Sequence, residues 1–500
     1  MRLALASLLF LASSALGAPA LNETTLGARQ NSGRLVFAHF MVGVVSNRNS
    51  ASAYDADMRL AKSAGIDAFA LNIGTDAYTD RQLSFAYDSA ASNGMKVFIS
   101  FDFNWWRTTQ GADVGRKIAQ YASRPGQLFY NGKVFASTFA GDGVDVGALR
   151  AAAGRPVYWA PNYHPGQGNF AAVDGALNWM AWRNNGNNKA GGISIESGDR
   201  AYRSALGSKA YIAPLSGHFF THFGPEVSYS KNWVFPSDLL FYQRWYNILA
   251  SQPAFVELIT WNDYGESHYI APLSSQHTDD GSSRWVNDMP HTGWLELSKP
   301  FIQAYKAGAS SPSRFITADQ LVYWYRVAPK SLNCDATDTT MQPANNASGN
   351  YFQGRPNGWD ALTDNIFVVA LLTAPARVTV NSGGTAYAFD APAGASSVSV
   401  PFRLGAQSFA VSRDGYQTLA ATSLREIQNT CPCGVYNFNF YVGTVPPGAR
   451  DVLQGDGLAS FTKGLRTGCA PVPSLAGSPP SVAKVTTTSW VAATQTPSVE

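Results

Sequence analysis

The chain has 500 residues, 45% hydrophobic and 13% aromatic, with 13 tryptophans and a formal net charge of +3. That length calls for two domains with ample core, and a charged fraction of 14% without a basic run excludes a nucleic-acid binder. Many rings beside few charges suit a neutral polymer such as a polysaccharide, whose apolar sugar faces stack on aromatics, although most of the tryptophans can equally be core filler.

Residues 1–17 read as a secretory signal: Arg2 precedes the run LALASLLFLASSAL, and the small residues Ala15 and Gly17 stand before Ala18. That run is too short to span a bilayer and no later segment is apolar enough, so a soluble secreted protein with no membrane partner is expected. Sequons at Asn22 and Asn346 fit that route. So do Cys334, Cys431, Cys433 and Cys469, an even number that permits three pairings in an oxidising compartment. Only Pro432 separates Cys431 from Cys433, where a mutual bond would be strained; one is expected to reach Cys334 and the other Cys469. A Cys-x-Cys metal site is the rival, but no histidine lies near to complete it.

From residue 34 to 308, short apolar runs alternate with helical patterns. Strands are expected over 35–42, 66–73, 96–103, 133–139, 157–161, 176–182, 210–215 and 255–261, and helices over 54–64, 81–93, 114–122, 146–153, 237–250 and 295–307. Alternation of this kind implies an α/β fold, a (β/α)8 TIM barrel with parallel strands and right-handed crossovers. The seventh connection carries an insertion, 216–236, expected to border the cleft. Barrel catalysis sits at the carboxyl ends of the strands. His39, Asn72, Asp102, Asp142, Asn162, His164, Trp182, His218, Asn262, Asp263 and Glu266 should therefore converge on one mouth. Each can also be a satisfied structural group, Asp142 in its glycine-rich turn above all.

The last of these strands runs into FVELITWNDYGES, where Trp261, Asn262, Asp263, Tyr264 and Glu266 crowd one short loop. Asp and Glu three apart after a strand often only cap a helix, yet a cap needs no aromatic neighbours. Hydrolysing a glycosidic bond needs one carboxylic acid to protonate the leaving oxygen and a second carboxylate to act on the anomeric carbon or its water, and Asp263 and Glu266 offer that pair.

Beyond residue 310 the runs QLVYWYRVA, IFVVALLT, ARVTVNS, TAYAFDA, SSVSVPF and QSFAVSR, then NFNFYVGTV, are short strands split by Gly, Pro, Asn and Ser. They predict a C-terminal β-sandwich over 312–469, tied by the disulfides. Residues 470–500, rich in Pro, Ser, Thr and Val, read as a linker or tail without a lipid-anchor signal, leading toward a module absent from this chain.

Taken together, RLVFAHFMVG, IDAFALNIG, KVFISFDFN, YWAPNYHP and ITWNDYGESHYI resemble the fungal α-1,3-glucanases, or mutanases, of glycoside hydrolase family 71, across roughly 34–440. The resemblance implies a monomeric, endo-acting, inverting hydrolase of α-1,3-glucan, extracellular or in the cell wall, with no cofactor and no metal. It places the catalytic carboxylates on Asp263 and Glu266, with Asp102 as a third essential acid. Glu266 is expected as general acid and Asp263 as general base, Asp102 binding a sugar hydroxyl or tuning a neighbour. Inversion needs about 6.5 to 9.5 Å between acid and base, which residues three apart on an irregular loop can span. His39, Asn72, Trp105, Asn162, His164, Trp182, His218, Trp261, Asn262 and Tyr264 are expected to bind substrate. A same-fold hydrolase of another polysaccharide and a non-catalytic glycan-binding barrel are the alternatives.

Overall fold

The computed structural model describes residues 33–184, 191, 194–225, 227, 230–341 and 353–453, with the backbone of 491–492 and 494–495. The expected signal segment, both sequons, Cys469 and most of the tail lie outside the described residues.

Eight strands pair in parallel: β1 (Leu35–Met41), β2 (Ala68–Ile73), β3 (Lys96–Asp102), β4 (Lys133–Phe139), β5 (Val157–Trp159), β6 (Gly175–Leu177), β7 (Ala210–Leu215) and, after a hairpin of β8 (Phe219–Phe223) and β9 (Lys231–Phe235), β10 (Phe255–Leu258). Their order is β5-β4-β3-β2-β1-β10-β7-β6, a curled sheet. Its two ends approach each other, for the Asp174 amide donates to the Trp159 carbonyl and the Leu177 amide to the Pro161 carbonyl, both at 2.9 Å. Parallel strands covered on both faces must be apolar throughout, which is why these runs stand out in the sequence.

Strand periodicity then sorts side chains between two cores. Val36, Ala38 and Phe40 of β1 join the cluster shared with the outer helices, whereas Leu35 and Phe37 turn inward. Inside the curl Phe37, Phe98, Phe135, Tyr158 and Phe255 form an aromatic plug, with ring centroids 5.0 Å apart for Phe37–Phe98 and 4.6 Å for Phe98–Phe135. Continuing along the same faces by twos, β1 places His39 above Phe37, β2 places Asn72 above Ala70, β3 places Ser100 and Asp102 above Phe98, and β10 places Glu257 above Phe255. A polar layer at the carboxyl ends is therefore a direct result of the pattern.

Helices α1 (Asp55–Ser63), α2 (Thr79–Asn93), α3 (Gly111–Tyr121), α4 (Val146–Ala153), α5 (Ile195–Leu206), α6 (Leu240–Ser251), the short α7 (Ser283–Val286) and α8 (Thr292–Lys306) follow. Asp145 caps α4 by accepting the Ala148 amide at 2.9 Å, and Gly154 closes it with φ 62°. Several local expectations need correction; the strands expected over 157–161 and 255–261 end at Trp159 and Leu258. The strand expected over 176–182 ends at Leu177, because the Asn178 side chain accepts the Met180 amide at 3.0 Å and turns the chain. Helix α5 was not foreseen: IESGDRAYRSAL is polar, and only Ile195, Tyr202 and Leu206 are buried.

The C-terminal strands β11 (Gln320–Arg326), β12 (Asn365–Leu372), β13 (Ala376–Ser382), β14 (Thr385–Ala391), β15 (Gly394–Pro401), β16 (Gln407–Arg413), β17 (Tyr416–Thr422) and β18 (Phe440–Val445) form two antiparallel sheets, β18-β11-β12-β15 and β17-β16-β13-β14, with residues 494–495 and 491–492 at their respective edges. Leu321, Tyr323 and Tyr325 of β11, with Ile366, Val368 and Ala370 of β12, pack against Val378, Val380 and Phe409 of the other sheet. The alternate residues Val322, Trp324, Phe367, Val369 and Leu371 pack instead into the core that holds α8. Cys334 is bonded to Cys431 across 97 residues of sequence, and Cys433 is also in a disulfide.

Candidate active site

The loop after β10 is the centre of the polar mouth. Asp263 and Glu266 lie there side by side, with side chains 15% and 17% accessible, and the Glu266 amide donates to Asp263 Oδ1 at 3.0 Å. Two groups that the sequence did not single out complete the cluster. Lys231, the first residue of β9, puts its ammonium on Glu266 Oε1. His268 Nε2 stands 2.8 Å from Glu266 Oε2 and 4.0 Å from Asp263 Oδ2. Thr260 Oγ1 accepts the Asp263 amide at 2.8 Å and lies 3.1 Å from His268 Nδ1. All of these bonds are satisfied when the imidazole proton sits on Nε2, with the threonine hydroxyl donating to Nδ1.

Neighbours push the two carboxyls in opposite directions. Burial first, then repulsion from Glu266, raises Asp263 to about 6. Burial also acts to raise Glu266, but Lys231 and His268 outweigh it and hold the carboxyl far below its usual range, at about 2. Asp102 on β3 is buried, accepts the Asn104 amide at 2.9 Å, and feels the charges of His39, Glu266 and Lys231; burial raises its carboxyl above the ordinary value. Asp263, Glu266 and His268 offer ligand atoms within 4.8 Å of one another, but the Lys231 ammonium already supplies the cation at that spot. The same spacing is short of the interval an inverting pair needs for its water.

Of the other expected residues, Trp105 and the His164–Asp142 pair are accessible, while His39, Asn72 and Trp182 are buried. Trp105 is 67% exposed and lies against Gly74, where an added Cβ would be 3.2 Å from its ring. Asn72 and His39 are on the inward polar layer; His39 Nδ1 is 2.7 Å from Glu257 Oε1, and its ring stands edge-on to Trp179 at 4.8 Å. His164 and Asp142 pair at 2.6 Å, partly exposed. Trp182 is buried against His268, centroids 5.3 Å apart.

Five residues are turned into structure. Trp261 donates to Asp57 Oδ1 at 2.9 Å, and Tyr264 donates to the Pro272 carbonyl at 2.8 Å. Asn262 exchanges bonds with the Met41 backbone at 2.7 and 3.2 Å, and the Asn162 amide reaches the Leu177 carbonyl at 3.0 Å. His218 Nε2 meets the Phe438 carbonyl at 2.9 Å, where burial lowers its proton affinity. Glu257 and Trp179 carry no sequence signal of their own, since a lone acid and a tryptophan inside expected apolar strands read as core.

Paired carboxyls pushed in opposite directions, at the carboxyl end of a curled parallel sheet, suit the acid and the carboxylate that a glycoside hydrolase needs. The model of glycosyl hydrolase family 71 matches residues 32–454, and the chain belongs to that family. A mutanase of Penicillium rubens is 41% identical over 442 residues, 87% of this chain and 93% of its own. A glucan endo-1,3-α-glucosidase of Schizosaccharomyces pombe is 37% identical over 437 residues, 83% of this chain and 95% of its own. Among solved structures, a GH99 endo-α-mannosidase of Bacteroides thetaiotaomicron overlays with a TM-score of 0.38 and 12% identity, over 55% of this chain and 98% of that one, too slight a likeness to argue from. Among the described residues, no helix is long and apolar enough to cross a membrane.

Proposed function

We propose that this protein is a secreted, endo-acting hydrolase of α-1,3-glucan, built on a closed (β/α)8 barrel with a C-terminal β-sandwich. The two family relatives carry the substrate, and the Asp263–Glu266 pair carries the chemistry. The backbone bonds between the regions of β5 and β6 support closure, and the apolar cluster shared by the two antiparallel sheets supports the sandwich. A protein that only binds glycan has no use for neighbouring carboxyls driven apart in proton affinity.

Electrostatics favour roles other than those expected from the sequence. Asp263, raised to about 6, is the group that keeps its proton in mildly acid solution, so it donates to the leaving oxygen. Glu266, held ionised by the Lys231 ammonium and the hydrogen bond from His268, is too weak a base for water; its negative charge keeps the proton on Asp263. Asp102, on β3 and strengthened as a base by burial, takes the proton of the attacking water. Trp105 offers its exposed ring to a sugar face at the rim. The test is reducing-sugar release from a panel of insoluble glucans, followed by proton NMR of the first product. Release from α-1,3-glucan as the β-anomer is expected; equal activity on a β-linked glucan refutes the substrate, and initial α-anomer refutes inversion.

A further inference from the structure

The hairpin that delivers Lys231 is gripped from behind by the C-terminal chain. His222 Nδ1 lies 2.7 Å from Asn232 Oδ1, joining β8 to β9, and its Nε2 lies 2.7 Å from Asp338 Oδ2. Both side chains of the His222–Asp338 pair are fully buried. Asp338 is itself fixed: Oδ1 accepts the Thr340 amide at 2.9 Å and hydroxyl at 2.7 Å, and Oδ2 accepts the Tyr436 amide at 2.7 Å. Its own amide donates to the carbonyl of Cys334, the residue bonded to Cys431. A second grip is backbone: Val234 donates to the Asn357 carbonyl at 2.9 Å, and Asn357 donates to the Asn232 carbonyl at 3.1 Å. On the front face the Phe220 amide donates to the Glu266 carbonyl at 3.0 Å.

A lone two-stranded hairpin is marginal in water, so the direction of β9 depends on what holds it. A buried histidine–carboxylate pair contributes little to stability against an apolar substitute of the same shape, but its directional bonds fix register. One residue of slip along β9 would turn Lys231 to the opposite face. We propose that His222 and Asp338 are positioning residues that lock this hairpin, and through it hold the Lys231 ammonium on Glu266. The C-terminal chain is by this account part of the catalytic apparatus, although none of its groups has to touch substrate. This rests on the proposed hydrolysis for its kinetic readout alone.

Glu266 faces Lys231 and His268, with Asp263, Asp102 and Asp280 as the further charges around the cluster. His222 faces Asp338 and the ring of Tyr436, beyond which stand Asp335 and Arg355, and the ring of Trp285, under Arg284. A cation lost from a carboxyl pair lets the pair bind its proton more tightly, so the basic limb of the pH–rate profile must move to higher pH.

The experiment compares His222→Asn, Asp338→Asn and Lys231→Met, alone and combined. Each single change should lower kcat about tenfold, the lower scale for losing a supporting partner, with KM little altered and the basic limb raised by about one pH unit. In the Lys231→Met background His222→Asn should add nothing. Hydrogen exchange, which needs no substrate, should show faster exchange in 219–223 and 231–235 for both His222→Asn and Asp338→Asn, while β1 to β4 stay protected. Losses that multiply, an unmoved limb, unchanged hairpin exchange or opening of all regions together would each overturn the proposal. An inactive wild type would instead refute the glucan reading, leaving the exchange data to judge the hairpin.

Discussion

Replacing Asp263 by asparagine separates proton donation from the rest of catalysis. The carboxyl is raised from 3.8 to about 6, so at pH 5 about nine-tenths of the molecules carry the proton, against roughly 6% for an ordinary aspartate. Losing a general acid costs about a hundredfold or more in turnover, and Asp263→Asn should lose at least that much on α-1,3-glucan. On an α-1,3-linked oligosaccharyl fluoride, whose leaving group departs unprotonated, the same variant should recover to within about tenfold of wild type. Asp102→Asn should remain poor on both substrates, because the water still lacks its base. A second arm is thermodynamic. A carboxyl whose folded pKa is raised contributes its stability in the protonated form, fully present below about 3.8 and lost as pH rises through about 6. Asp263→Asn should therefore match wild type near pH 3 and exceed it above pH 6 by up to about 3 kcal/mol, from roughly two pK units. Equal impairment on glucan and fluoride would refute the assignment, as would a variant less stable than wild type at neutral pH.

Glu266→Gln should show the opposite stability trend. Its folded carboxyl is depressed from 4.5 to about 2, so its contribution is full above about 4.5 and is lost as pH falls toward 2; thermal melts across that window should show the variant's deficit closing as acid is added. Trp105→Ala should raise KM on polymer about tenfold, the scale of one stacked ring, with kcat nearly unchanged in initial-rate kinetics. Peptide mapping without reduction should recover Cys334 joined to Cys431 and Cys433 joined to Cys469. Opening the 97-residue loop should cost about 4 to 5 kcal/mol in denaturant titrations by the chain-entropy estimate.

The eight parallel strands were legible because strands covered on both faces must be apolar, and Gly, Pro and Asn punctuate them. Helix α5 was not, since IESGDRAYRSAL is largely polar and its buried residues, Ile195, Tyr202 and Leu206, are too sparse to mark a stripe. At the site, Asp263 and Glu266 could be read from local crowding. Lys231 and His268 could not: a lysine opening a strand reads as a solvated edge, and only the folded hairpin brings it across 35 residues to Glu266. The crowding that drew attention to Trp261 and Tyr264 had another cause, for their rings anchor the loop to Asp57 and Pro272.

Strands β11 and β12 belong to two interiors at once, odd and even residues facing different neighbours. A chain ended after α8 would leave Trp294 and Phe301 without the Val322, Trp324 and Phe367 side chains of their shared core, and a fragment begun at 312 would expose those same side chains to water. Neither half can be lent to another protein as a ready-made part. The C-terminal sheets differ in this from a tethered binding module, which can be gained or lost at a linker. The shortest active enzyme should accordingly extend through Leu453, whose side chain lies in that same core, with Asp451 beside it accepting the Leu273 and Ser274 amides.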